Sequence, residues 1–148
     1  MSILNYTTKV PTEKTLTEIH RMLVKAKASS VLTEYDPEGQ VAALNFRITT
    51  KYGLIAFRLP ANVDAIHRLV SKDAKLRPPQ RTRQHASQVA WRIVRDWLAV
   101  QVALVQAGMA DFEQVFLPYA QDETGTTFYE QVRDRKFQGL ALMQTSAL

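Results

Sequence analysis

The sequence contains no cysteine and few glycines or prolines, with 5 glycines and 6 prolines among 148 residues. A chain without cysteine has no disulfide framework and no thiolate metal ligands, which is typical of the reducing cytoplasm. No segment reaches the roughly 18 apolar residues that a membrane span requires, and the first residues lack the apolar centre of a signal peptide. We therefore expect a soluble, cytoplasmic protein with no membrane partner.

Recognisable catalytic motifs are also absent. The 3 histidines fall in separate segments without the spacing of metal ligands, and there is no glycine-rich phosphate loop and no Gly-x-Ser-x-Gly elbow. Glu34, Asp36 and Glu38 stand close together, as the acids of a metal-dependent nuclease could, but the segment DPEG is first of all good turn chemistry. We predict no catalytic residue, no metal ligand and no cofactor, and a binding protein is favoured over an enzyme.

The composition supplies enough apolar material for one folded domain. Hydrophobic residues make up 46% of the chain and charged residues 22%, as in ordinary globular proteins. We expect one domain over residues 1–148, with an α/β sheet unit at 1–76, a basic linker at 77–84 and a helical section at 85–148 packed on that unit.

The net charge of +5 is unevenly distributed along the chain. Residues 1–95 hold 16 basic and 7 acidic residues, whereas residues 96–148 hold 3 basic and 7 acidic residues. The basic part favours phosphate groups or acidic protein surfaces as partners, although both charge sets could also be ordinary solvated faces.

The first half of the chain predicts an antiparallel sheet that packs against a helix. Asn5–Val10 alternates like a strand, and residues 15–28 carry apolar side chains at helical spacing, with Thr15 and Glu18 as a capping box. Residues 30–62 then predict three strands joined by turns at DPEGQ and TKYG. The fold class is therefore α+β, with an N-terminal β-α-β-β-β antiparallel sheet unit followed by a mostly helical C-terminal section.

The alternation of residues in the last two of these strands divides their side chains between two faces. The apolar set, which we expect to face the helix, comprises Leu44, Phe46, Ile48, Ile55, Phe57 and Leu59. The opposite face carries Arg47 and Arg58 and could hold a nucleic-acid strand, although it lacks the exposed aromatic residues on which bases usually stack. The alternative is an ordinary sheet face that is exposed to water.

The densest charge of the chain is a basic tract between Arg68 and Arg95. It begins in a short helix for which Asn62 is a good N-cap, and two adjacent prolines interrupt it, so we predict an exposed, semi-extended linker. Its one acid is Asp73, and such clusters are typical of phosphate contact. The predicted nucleic-acid-binding residues are Arg47, Arg58, Arg68, Lys72, Lys75, Arg77, Arg81, Arg83 and Arg92.

A long helical pattern starts within the same tract and is apolar on more than one side. Trp91, Phe112 and Phe116 widen its apolar face beyond that of a surface helix, so we predict these residues at a protein interface, in a homo-oligomer or a larger complex. The alternative for Trp91 is the core of the protein. Gly108 leaves open whether residues 85–117 form one helix or two.

The last segment of the chain predicts a turn at Thr124–Gly125 and a short helix. Phe128, Val132 and Phe137 would be the packed residues of that helix. The final ten residues lack helix caps, and we expect them to fray or to dock on a neighbour.

Four segments of the chain carry a resemblance to other proteins. In order, YTTKV, FRLPAN, VAWRIVRDWLAVQVALV and EQVFLPY resemble segments of small proteins of bacteriophages and mobile elements of bacteria, a group with no established activity. The resemblance spans most of the chain. It implies a setting in which DNA is replicated, recombined, regulated or defended, and it identifies no site residue.

Together these features predict a non-enzymatic nucleic-acid-binding protein that contacts phosphates and could serve as an accessory subunit of a larger complex. Single-stranded DNA, duplex DNA and RNA are not distinguished. One alternative is an inhibitor or adaptor that binds an acidic surface of a host enzyme through the basic tract. A second is a small metal-dependent nuclease that uses Asp36 and Glu38.

Overall fold

The computed structural model describes residues 3–143 and builds them around one four-stranded antiparallel sheet. In chain order the elements are α1 (Thr12–Lys25), β1 (Ala28–Tyr35), β2 (Val41–Thr50), β3 (Gly53–Pro60), α2 (Val63–Ser71), α3 (Arg83–Gln106), α4 (Phe112–Phe116), β4 (Ala120–Gln121) and α5 (Phe128–Asp134), with short 3-10 helices at Pro78–Arg81 and Leu117–Tyr119. The strand order is β1-β2-β3-β4, so each strand pairs with its neighbour along the chain. The α+β fold class is thereby confirmed.

One apolar core joins the inner face of the sheet to the helices. The six predicted inward residues of β2 and β3 all belong to it, with only Ile55 partly exposed. Ile19 of α1 and Trp91 of α3 reach the same core and have no exposed surface. The rings of Phe46 and Phe57 stack with centroids 5.3 Å apart and couple the two central strands.

The segment Asn5–Val10 is a turn followed by residues without regular secondary structure, and not the strand that its alternation predicted. Asn5 has a φ of 63°, and the N–H of Tyr6 donates to the carbonyl oxygen of Ile3 at 3.2 Å. The side chain of Asn5 donates to Asp96 of α3 at 2.8 Å. Because turn bonds and the anchor on α3 satisfy these polar groups, the segment does not join the sheet, and the unit is α-β-β-β.

Helix α1 starts at Thr12, earlier than predicted, directly after Pro11. The predicted capping box of Thr15 and Glu18 is therefore wrong, because both residues lie inside the helix. Thr15 is fully buried, and Glu18 forms an ion pair with Arg92 of α3. An ion pair with α3 thus uses the Glu18 side chain that local sequence assigned to the cap.

The three-stranded meander is confirmed, and a fourth strand extends it. Strand β4 has two residues and pairs with β3 through Ala120 opposite Phe57 and Gln121 opposite Ala56. Two residues carry no alternation that a sequence pattern could reveal. The strand exists because the 3-10 turn at Leu117–Tyr119 returns the chain to the sheet.

Gly108 divides the long helical pattern into α3 and α4. Its φ is +74°, and the N–H groups of Gly108 and Met109 donate back to the carbonyl oxygens of Val105 and Leu104 at 3.1 and 2.9 Å. This helix end requires a residue in the left-handed region, which glycine adopts without steric cost. The chain therefore forms two helices where the sequence left one or two open.

The turn at Thr124–Gly125 and the helix α5 are confirmed, but of the three residues predicted to pack only Val132 is partly buried. Phe128 and Phe137 are 39% and 40% exposed, because α5 lies mainly against Leu117–Tyr119 and not against the core. Of the final ten residues, 139–143 are exposed, and the prediction for the others lies outside the described residues.

Candidate nucleic-acid interface

The residues between α2 and α3, 72–82, form a folded segment that we call the basic loop. Leu76 is buried and ties the loop to the core. Arg81 donates through Nε to the carbonyl oxygen of Leu76 at 2.8 Å and through Nη2 to that of Ala74 at 3.3 Å. The loop is thus folded and fixed by its own hydrogen bonds, and it is not the semi-extended linker that the sequence predicted.

Local chemistry at the end of the basic loop explains this difference. Pro78 and Pro79 have φ preset by their rings and start a 3-10 turn in place of an extended chain. Thr82 then accepts the N–H of His85 at 3.1 Å and caps α3, which begins at Arg83. The prolines therefore form a separate turn directly before α3, whereas α2 has already ended at Ser71.

Two of the predicted phosphate-binding residues, Arg83 and Arg92, are engaged with acids of the protein itself. Arg83 pairs with Asp64 of α2, and its Nε donates to Gln40 at 3.2 Å. The hydrogen bond from Arg83 lowers the pKa of Asp64 below its ordinary value. Arg92 pairs with Glu18 of α1 and is only partly exposed. These cations link helices to each other and to the hairpin, so less of their charge is available to a phosphate.

The outer face of the sheet carries Arg47 and Arg58, whose side chains differ in their contacts and exposure. Arg58 holds Glu34 through two bonds, from Nη2 at 2.7 Å and from Nε at 3.2 Å, and this lowers the pKa of the Glu34 carboxyl. Arg47 is exposed. Leu32 and Leu54 lie on the same face and are 68% and 57% exposed. A face with one neutralised cation and two leucines is a weak phosphate surface.

Four other predicted residues, Arg68, Lys72, Lys75 and Arg77, are exposed at the end of α2 and in the basic loop. Within residues 3–143 none of the four forms an ion pair. Asp73, the one acid of the tract, turns its carboxylate to the N–H of Lys75, which it accepts at 2.9 Å. The cationic side chains of this stretch are therefore directed at solvent.

A polar groove of about 340 Å³ lies between the basic loop, the N-terminal turn and the first turns of α3. Lys9 and Arg77 line it, together with the hydroxyls of Thr7 and Thr8 and side-chain amides such as that of Gln84. No carboxylate is among the described residues that line this groove. The first turn of α3 also has no acid, so the partial positive charge of the helix start adds to that of the cations.

The position of Lys9 depends on a contact between residues that lie 79 positions apart in the chain. His85 is buried, and its Nε2 donates to the carbonyl oxygen of Tyr6 at 2.6 Å, which fastens the N-terminal turn to α3. Sequence reasoning did not select Lys9, because no pattern relates it to Arg77. Only the fold brings the two cations to one groove.

Trp91 and Phe116 lie in the core and not at the protein interface that the sequence predicted, whereas Phe112 is partly exposed. Trp91 and Phe116 have no exposed surface, and Phe112 stacks on Phe116 with centroids 4.2 Å apart. Phe112 also meets Phe57 edge to face at 5.4 Å. The wide apolar face of α3 and α4 is used within the chain, because the sheet lies on one side of it and other helices on another. The alternative assignment of Trp91 to the core is confirmed.

Asp36 of the β1–β2 hairpin acts as a turn residue, whereas Glu34 lies in β1 and pairs with Arg58. Oδ1 of Asp36 accepts the N–H groups of Glu38 and Gln40, each at 2.9 Å, as DPEG predicts. Residues 3–143 contain no group of three or more histidine or acidic side chains placed to hold a metal ion. The described helices include none that is long and apolar enough to cross a membrane.

No family model matches this chain, and comparisons with curated proteins and with solved structures find no similar protein. The candidate interface therefore rests on the geometry of its own residues.

Proposed function

We propose that this protein binds nucleic acid without catalysing a reaction, through phosphate contacts of the basic loop and the polar groove. The observation that carries the proposal is the groove itself, which presents Lys9 and Arg77 with hydroxyl and amide donors and, among the described residues that line it, no carboxylate. Arg77 also belongs to the stretch of sequence that carries the exposed cations Arg68, Lys72 and Lys75.

The chemistry of these groups suits a polyanion better than a single small anion. Exposed lysine and arginine side chains release condensed counterions when they neutralise phosphates, which gives salt-sensitive affinity with little sequence preference. Hydroxyl, amide and helix-start N–H groups are the usual partners of phosphate oxygens and set the position of the backbone. We propose a bacteriophage or mobile-element setting for this activity, as an accessory subunit of a larger complex.

The test compares two charge-reversal variants that change the net charge equally. The first is Lys75→Glu with Arg77→Glu in the basic loop. The second is Lys14→Glu with Arg21→Glu on α1, where both side chains are exposed and lie outside the groove. Each is titrated at low and high salt against single-stranded DNA, duplex DNA and structured RNA.

We expect the loop variant to lose at least about tenfold in affinity for the preferred ligand and to show a shallower salt dependence, since two phosphate contacts are gone. The α1 variant should retain most of the binding. Equal losses of affinity in both variants would mean that binding depends on the net charge of the protein and not on the basic loop. Absence of binding by the wild-type protein at low salt to all three ligands would overturn the proposal and favour an acidic protein surface as the partner.

A further inference from the structure

The two edges of the sheet differ in how they are protected. At one edge β4 has only two residues, and Gln121 also bridges to Thr127 ahead of α5. At the other edge β1 runs for eight residues, Ala28–Tyr35, and within residues 3–143 pairs only with β2. Within the described residues, the outward backbone groups of β1 therefore face no strand.

Strand β1 also lacks the features that keep exposed edges apart. Natural edge strands carry lysine, proline or an inward charge, or are very short. The segment ASSVLTEY contains none of these, and its single charge, Glu34, is neutralised by Arg58 at 2.7 Å. Leu32, in the middle of the strand, is 68% exposed. The irregularities in its pairing with β2 lie near the strand ends and leave residues 30–34 regular.

We propose that β1 is a self-association edge, at which a second copy of this chain adds its own β1 in antiparallel pairing about a two-fold axis at Leu32. In antiparallel strands, residues directly opposite each other lie on the same face of the sheet. With the axis at Leu32, Leu32 meets its own counterpart and buries apolar surface. If the axis lay at Val31 instead, Leu32 would lie opposite Ser30 of the second copy. If it lay at Thr33, Leu32 would lie opposite Glu34 of the second copy.

The charges that flank β1 support a second copy as the occupant. Lys25 and Lys27 precede the strand, whereas Asp36 and Glu38 follow it. In the proposed pairing Ala28 lies opposite the partner copy's position 36, so the basic start of each strand meets the acidic end of the other. The complementarity occurs twice because the interface is isologous. Self-association at β1 does not require the proposed nucleic-acid binding.

The absence of cysteine makes a direct test possible. Opposed residues of an antiparallel pair have Cα atoms about 4.5 to 5.5 Å apart, within the range of a disulfide. Leu32→Cys is expected to form an intermolecular disulfide under mild oxidation. Thr33→Cys, one residue along the strand, and Val100→Cys, on the exposed side of α3, should not. Preferential cross-linking through either control would overturn the pairing.

A second measurement uses the mass in solution without any cross-link. The wild-type protein should approach twice 16.8 kDa as concentration rises. Leu32→Lys places two like charges opposite each other and should raise the dissociation constant at least about tenfold. Leu54→Lys makes the same change on the same face of the sheet, away from the edge, and should leave the constant unchanged.

Each outcome of the mass measurement decides the proposal. A wild-type protein that stays monomeric at high concentration overturns it, as does a dimer that Leu32→Lys and Leu54→Lys affect equally. Since both leucines are exposed, the variants should fold normally, which a circular dichroism spectrum checks.

Discussion

The guanidinium of Arg81 donates to the backbone of Leu76 at 2.8 Å and so closes the basic loop on itself. Leu76 is buried, and the bond joins it to a residue five positions later in the same loop. Arg81, which the sequence predicted to contact phosphate, thus stabilises the loop that displays the other cations.

Replacing Arg81 should therefore affect nucleic-acid binding indirectly. Arg81→Ala removes hydrogen bonds of a charged donor and should lower the free energy of unfolding by about 1 to 2 kcal/mol. Affinity should fall because Lys75 and Arg77 are displayed less well, while the salt dependence of binding stays as in the wild type. Denaturant titration and binding at several salt concentrations measure both; a reduced salt slope would mean that Arg81 itself contacts phosphate.

Arg77 should behave in the opposite way. It is exposed and lines the groove, so Arg77→Ala should leave the free energy of unfolding nearly unchanged. The slope of log affinity against log salt should become shallower by about 0.9, because one phosphate contact is lost. An unchanged slope in the same titration would remove Arg77 from the interface.

The pair of Glu34 and Arg58 should stabilise the fold in a pH-dependent way. The hydrogen bond from Arg58 lowers the pKa of Glu34 below its ordinary value of 4.5. Its stabilisation is then complete above that pH and is lost as pH falls through the lowered pKa of the folded state. Both side chains are partly exposed, so Glu34→Gln should cost less than about 1 kcal/mol near neutral pH.

Thermal unfolding of wild type and Glu34→Gln across the acid range tests this pair. The difference between them should shrink as pH falls below 4.5. A difference that stays constant with pH would show that the charge of Glu34 is not what stabilises the hairpin face.

Gly108 should tolerate few replacements. At a φ of +74°, Gly108→Ala should lower the free energy of unfolding by about 1 to 2 kcal/mol, because an alanine side chain meets the carbonyl oxygen in the left-handed region. Gly108→Asn should cost less, since asparagine adopts this region more readily. Chemical denaturation of both variants gives the comparison, and equal costs would contradict the backbone explanation.

Phe116 should act as a core residue and not as an interface residue. It has no exposed surface and contacts Phe46, Phe57 and Trp97 edge to face. Phe116→Ala should lower the free energy of unfolding by about 3 to 5 kcal/mol. Phe116→Leu keeps most of the volume and should remain folded, with the mass of the wild-type protein in solution. If Phe116→Leu changed the mass of the protein in solution, Phe116 would be an interface residue after all.

Local sequence patterns predicted the structure correctly where a segment is determined by residues that are close to it in the sequence. The strands at Val41–Thr50 and Gly53–Pro60 follow strict alternation, and Asn62 caps α2 by accepting the N–H of Ala65 at 3.0 Å. Pattern failed at Asn5–Val10, where distant contacts to α3 outweigh β propensity. It also failed for Arg83 and Arg92, since their acidic partners lie far away in sequence.

The sequence by itself determined the α+β class, the meander, the positions of most helices and the excess of positive charge before residue 96, because these depend on neighbouring residues and on composition. Only the tertiary structure decided which cations are paired with the protein's own acids and which remain exposed. It also brought Lys9 beside Arg77 and left β1 as an open edge. Those outcomes depend on contacts between residues far apart in the chain, which local periodicity does not encode.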